Sequence, residues 1–124
     1  MSNDPRKFSL KARLKSFVFA WWGILRFFRT EHNAQIHLVI TIIVIGCSIY
    51  FKISRVESIA VIFSIAFVWI TEMVNTAIEK TMDFISKEKD YQIRNIKDMA
   101  AGAVLIAAIT AVIIGCIVFL PKLF

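Results

Sequence analysis

Three apolar stretches constrain this chain more than anything else in it: residues 34–51 (AQIHLVITIIVIGCSIYF), 58–78 (SIAVIFSIAFVWITEMVNTAI) and 99–120 (MAAGAVLIAAITAVIIGCIVFL). At about 1.5 Å of rise per residue, about 20 residues cross a hydrocarbon core of roughly 30 Å, so all three are long enough to span a bilayer. With no water to satisfy backbone groups there, each must be a helix. Composition agrees. The chain is 58% hydrophobic over 124 residues, against ~45–50% for a soluble domain, and its mean hydropathy is +0.70. A soluble protein of this size has too few buried positions for so much Ile, Val, Leu, Phe and Trp. The excess is expected to face lipid.

The net charge of +6 could suggest nucleic acid, but its placement points to a membrane surface. Seven of the fifteen Lys and Arg residues lie in the first 33 positions (Arg6, Lys7, Lys11, Arg13, Lys15, Arg26, Arg29), interleaved with Trp and Phe. Five more fall between spans two and three (Lys80, Lys87, Lys89, Arg94, Lys97), two in the turn 52–57 and one, Lys122, after the last span. The positive-inside rule therefore puts the N-terminus and the 79–98 connection in the cytoplasm and the C-terminus outside, and the membrane is expected to be the inner (plasma) membrane. The polar opening, residues 1–8, is not expected to be a secretory signal.

Helical periodicity extends upstream of the first span. Leu10, Leu14, Phe17, Trp21, Ile24, Leu25 and Phe28 fall within an arc of about 100°, with Lys11, Lys15, Arg26 and Arg29 on another side. An amphipathic surface helix is expected over about residues 8–29, sunk into the headgroup boundary. The fold class is thus all-α, three transmembrane helices plus this surface helix, in one membrane-embedded domain covering 1–124. Cys47 and Cys116 sit inside apolar runs, with no CxxC, and are read as small hydrophobes.

The chemistry must lie where polar groups enter the membrane, because a charged side chain at that depth costs on the order of 3 kcal/mol. Span two ends with Glu72, Asn75, Thr76, Glu79 and Asp83. At 100° per residue these five share a stripe of about 100°, with Glu72 and Asp83 about 16 Å apart along the axis. Glu72, flanked by Trp69, Ile70, Met73 and Val74, is the deepest and is the candidate general base for a hydroxyl. Glu31 stands where the surface helix meets span one, and Lys97 and Asp98 precede the small-residue run Ala100-Ala101-Gly102-Ala103. Small residues allow helices to approach closely, so Lys97 and Asp98 are expected near the other helices. Carboxylates and a lysine at a water boundary suit an Mg²⁺-nucleotide, because Mg²⁺ uses one or two carboxylates plus phosphate oxygens.

No standard nucleotide motif is present. Gly23, Gly46, Gly102 and Gly115 are scattered, so neither a P-loop nor a GxGxxG can be built. His32 and His37 do not form a zinc pair and are expected to hydrogen-bond at the interface. On the residues alone, three readings stand: an ATP-dependent lipid kinase, a proton- or cation-conducting protein using Glu72 and Glu79, and a structural membrane subunit.

The block E-M-V-N-T-A-I-E-K-T-M-D (72–83) and the block I-K-D-M-A-A-G-A-V (96–104), together with Glu31 and the three-span layout, closely resemble the prokaryotic integral-membrane diacylglycerol kinase family. The resemblance covers the chain from about Phe8. It implies a homotrimer with active sites between neighbouring subunits, and phosphoryl transfer from MgATP to a lipid hydroxyl. It also implies Glu72 as general base, Glu31 and Glu79 as ligands of Mg²⁺ with ATP, and Lys97 and Asp98 at the nucleotide. Asn75 would support the site, and Asp83 would lie near the adenosine. Diacylglycerol-specific members carry an Arg in the surface helix where this chain has Ala12, next to Arg13. The stretch from Glu31 to His37 resembles the E-R-N-x-x-I-H of the undecaprenol kinase branch. The acceptor is therefore expected to be undecaprenol or diacylglycerol, with a lean to undecaprenol.

Overall fold

The computed structural model describes residues 7–124, and these form four α-helices with no strand among the described residues. Arg6, counted above with the cytoplasmic charges, lies outside them. Helix α1 is Leu10–Thr30, α2 is His32–Tyr50, α3 is Arg55–Ile85 and α4 is Tyr91–Leu123. The last three are long and apolar enough to cross a membrane.

The expected spans are recovered, but two of the helices overrun them. α2, at 19 residues, is about 28 Å long and matches the hydrocarbon core. α3 has 31 residues and α4 has 33, which makes them about 46 and 50 Å long. The connection read from the sequence over 79–98 therefore narrows to residues 86–90. The reason is local: nothing between Glu79 and Ile85 breaks a helix, and α3 stops only at Ser86, whose backbone is extended (φ −161°, ψ 137°). Asp90 then caps α4 by accepting the backbone N–H groups of Gln92 and Ile93, two of the donors that a helix start leaves unpaired. The ends of α3 and α4 thus run on together beyond the membrane-length segment.

At the other end of the spans, α2 closes through Lys52, whose φ of 49° is left-handed. The Ile53 N–H donates to Ser48 O and the Lys52 N–H to Ile49 O, the paired bonds of a Schellman ending in which glycine is the usual residue. Ser54 and Glu57 then form a reciprocal capping box at the start of α3. Glu57 also meets Lys122 near the end of α4 (3.2 Å), and Phe51 faces Phe119.

α3 and α4 form the most extensive pair, α2 lies against α3, and α1 meets the bundle chiefly through α2. Only the last turns of α1 are covered: Phe27 is buried, Phe28 lies edge-on to Trp69 of α3, and residues 10–23 are exposed throughout. The small-residue run opening α4 does not make the close helix approach expected of it. A Cβ placed on Gly102 would meet nothing within 4 Å, and Ala101 and Ala103 are exposed.

The exposed surface is 10,044 Å², against about 6,800 Å² for a compact soluble monomer of this mass. The excess is apolar: Ile42, Ile43, Phe63, Val112 and Ile117 are among the exposed large residues. That distribution suits a chain solvated by lipid.

Candidate active site

Between α1 and α2 the chain has a single non-helical residue, Glu31, with extended dihedrals (φ −102°, ψ 122°). The bend leaves few backbone groups unmatched. The Glu31 N–H still reaches Phe27 O, the Glu31 carbonyl accepts from Gln35 N–H, and the Gln35 side-chain amide donates to Arg29 O and Phe28 O. The bend projects the Glu31 carboxylate toward α3, where Oε1 stands 3.1 Å from Lys80 Nζ.

One turn into α2, the contacts with α3 become deep. Glu72 is only 5% exposed. Its Oε1 accepts a hydrogen bond from Asn33 Nδ2 at 3.2 Å, and its Oε2 lies 3.9 Å from His37 Nε2. Three residues before it on α3, Trp69 donates its indole N–H to Thr41 Oγ1, and that hydroxyl donates to the His37 carbonyl. A run of polar bonds therefore ties α2 to α3 from Asn33 to Thr41, within otherwise apolar helices. Burying a carboxylate is tolerable only with such partners. Asn75, one turn beyond Glu72 toward the polar end, is also buried, and its Oδ1 accepts no hydrogen bond among the described residues.

Toward the end of α3 and the start of α4 the polar stripe emerges from the bundle. Glu79 is exposed and forms no ion pair among the described residues. Asp83 pairs with Lys97 across the α3–α4 seam, whereas Asp98 is exposed and pairs along its own helix with Arg94 at 3.5 Å. Of the seven candidates, then, Glu72 and Asn75 are buried together, Asp83 and Lys97 are brought together from different helices, and Glu31 meets α3. Glu79 and Asp98 stay on the open surface of the single chain. Arg13 lies on exposed α1 with its guanidinium over the Phe8 ring, and it contacts none of these groups through a hydrogen bond or ion pair among the described residues.

Three further residues belong to this region. Lys80 entered the sequence reading only as a positive loop charge, yet it neutralises Glu31. Asn33 appeared only within a motif. His37, expected to hydrogen-bond at the interface, faces Glu72. The signal available was the i, i+4 spacing of Asn33 and His37, which puts both on one face of α2.

An apolar cavity of about 340 Å³ opens between α2, α3 and α4. His37 and Trp69 line it at the Glu72 end, with Val44, Val61, Gly115 and Phe119 further along. Chemically, the region offers a buried, hydrogen-bonded carboxylate beside an apolar cavity, with carboxylates and lysines at the adjoining polar end. No group of three or more His, Cys, Asp or Glu side chains that could hold a metal ion occurs among the described residues.

Comparison with known proteins gives a consistent result. The sequence model of the family described as prokaryotic diacylglycerol kinase matches residues 18–119. The chain is 37% identical over 123 residues to the undecaprenol kinase of Bacillus subtilis (strain 168), covering 99% of this chain and 100% of that one. It is 36% identical over 111 residues to a diacylglycerol kinase of Synechocystis, covering 89% of this chain and 63% of that longer protein. With the diacylglycerol kinase of Escherichia coli (strain K12) it shares 30% over 104 residues, covering 84% and 85%.

Proposed function

The chain belongs to the prokaryotic diacylglycerol kinase family, and from that membership we propose that it is a lipid kinase transferring the γ-phosphoryl group of ATP to the hydroxyl of a membrane lipid alcohol. The observation that carries the reading is Glu72: a buried carboxylate among apolar helices, held by Asn33 and close to His37, which with Trp69 lines the apolar cavity. In this account Glu72 is the general base that takes the proton from the lipid hydroxyl as that oxygen attacks phosphorus. Such a base contributes about 10²–10⁴-fold. The apolar cavity supports a hydrocarbon tail lying beside it, as would suit undecaprenol or diacylglycerol. Similarity over essentially the whole length to a protein named for undecaprenol favours undecaprenol.

Phosphoryl transfer needs positioning and neutralisation of charge more than covalent help. Glu31 and Glu79 are the proposed Mg²⁺ ligands. The donor set fits: two carboxylates at the polar end, one balanced by a single lysine and the other carrying no ion pair among the described residues, which is the number of protein carboxylates Mg²⁺ ordinarily takes. Bound there with ATP, Mg²⁺ would neutralise the phosphate oxygens. Lys97 and Asp98 are proposed to contact the nucleotide, Asp83 to lie toward the adenosine, and Asn75, with its unmatched buried oxygen, to support the site. Lys80 and Lys97, which occupy Glu31 and Asp83 here, are suited to exchange onto phosphate oxygens.

The proposed assembly is a homotrimer sharing its sites between subunits, in the inner membrane, with the N-terminus and residues 86–90 cytoplasmic, the C-terminus outside, and the whole of 1–124 acting as one domain. The large exposed apolar area, the open face at Gly102 and the exposed positions of Glu79 and Asp98 support completion by a neighbouring copy.

Radiolabelled ATP offered with undecaprenol and diacylglycerol in mixed micelles tests the reading. Label should pass to a lipid alcohol, undecaprenol preferred, and transfer should stop when Mg²⁺ is chelated and resume when it is restored. Labelling of neither alcohol would overturn it.

A further inference from the structure

Glu72 does not hold its place alone, and the first turns of α2 are built to hold it. α2 has no acidic residue in its first turn, and its N-cap, Glu31, makes no side-chain capping bond. Glu31 pairs instead with Lys80 of α3, and a second carboxylate reaches the side chains of these first turns. The carboxylate that arrives is Glu72, from α3. Asn33 Nδ2 donates to Oε1 at 3.2 Å, and His37, one turn further along the same face, puts Nε2 3.9 Å from Oε2. The two oxygens are therefore unequal. Oε1 is pinned by an amide. Oε2 has only the more distant imidazole beside it, and that imidazole also lines the apolar cavity.

We propose that Asn33 and His37 are positioning residues for Glu72: Asn33 anchors Oε1 so that Oε2 is the oxygen that takes the lipid hydroxyl proton, and the His37 ring holds Oε2 in line with the cavity. This rests on the kinase reading above and deepens it by assigning the supports of its base. Neither residue touches the phosphates or Mg²⁺ in this account, so their loss falls on the proton-transfer step rather than on nucleotide binding.

The test uses the full-length protein in mixed micelles with undecaprenol and MgATP, comparing wild type with Asn33→Ala, His37→Leu and His37→Gln. Helix content and elution volume serve as the check on folding. Asn33→Ala should lower kcat about 10- to 100-fold, the size of a lost hydrogen bond to a charged group, and His37→Leu, which removes a ring 3.9 Å from Oε2, should lower it about 3- to 10-fold, each with KM for MgATP within about twofold of wild type. His37→Gln keeps an N–H donor at the end of a side chain of similar reach, and it should recover most of the loss. If Asn33→Ala fails to fold, the two His37 variants decide. Wild-type kcat in both folded truncations, equal losses in His37→Leu and His37→Gln, or a rise in KM for MgATP equal to the fall in kcat would each overturn the assignment. An inactive wild type would instead remove the kinase reading itself, so the two failures are distinguishable.

Discussion

Trp69 and Glu72 sit one turn apart on α3 and fasten it to α2 by different means, an indole N–H to the Thr41 hydroxyl and a carboxylate to the Asn33 amide. From sequence Glu72 stood out, because a carboxylate between Ile70 and Met73 is costly in lipid and calls for an explanation. Its partners were not visible. Which α2 side chains face it depends on the rotation and register of one helix against another, and periodicity along a single helix does not fix either. Glu31 was placed correctly at the junction of α1 and α2, but its counter-ion, Lys80, was hidden among the positive charges between spans two and three. Glu79 is exposed and without an ion pair among the described residues, so in the proposed role its contribution depends on the metal. Glu79→Gln should raise the Mg²⁺ concentration needed for half-maximal activity at least about tenfold, as for the loss of one charged ligand, while leaving thermal unfolding without Mg²⁺ unchanged. A wild-type Mg²⁺ dependence in that variant would remove Glu79 from the metal site.

At the scale of the element, hydropathy located all three long helices, and two of them run on past the apolar stretches. Apolar content falls where the membrane ends, whereas a helix ends where caps and backbone dihedrals end it. α3 runs on through Glu79, Lys80 and Asp83 to Ser86, and α4 begins at Asp90's cap. The consequence for the site is the Asp83–Lys97 pair, formed where α3 and α4 run past the apolar stretches; the helical stripe read from Glu72 to Asp83 anticipated the first extension, and the start of α4 at Tyr91 was not anticipated. The small-residue run at Ala100–Ala103 pointed to close packing that the single chain does not make. The turn between α2 and α3 supplies a separate test of local physics. Lys52 takes a left-handed conformation that costs a side-chain-bearing residue roughly 1–2 kcal/mol. Lys52→Gly should therefore stabilise the protein by up to about 1 kcal/mol after the greater freedom of glycine in the unfolded chain is set against it. Thermal unfolding followed by circular dichroism in micelles would show a raised midpoint, with catalytic rates unaltered. A lowered midpoint would mean that the turn is held by something other than its backbone bonds.

Taken whole, the molecule is divided along its length. One end of the spans is closed by Glu57–Lys122 and Phe51–Phe119, the middle is apolar, and the other end gathers nearly all the ionisable groups that the proposed chemistry uses. That division suits an enzyme whose two substrates come from different phases, ATP from water and an alcohol from lipid, meeting where the buried stripe of α3 surfaces. Everything in the account converges on Glu72 as the group that accepts the proton. The most direct measurement compares wild type and Glu72→Gln in lipid vesicles, following transfer of the labelled γ-phosphoryl group to undecaprenol alongside ATP binding and helix content. Glutamine keeps the size and the hydrogen-bonding partner of Glu72 but cannot serve as a base. The account predicts a fall in turnover of at least about 100-fold, with nucleotide binding and fold retained. Turnover at the wild-type rate in Glu72→Gln would contradict it.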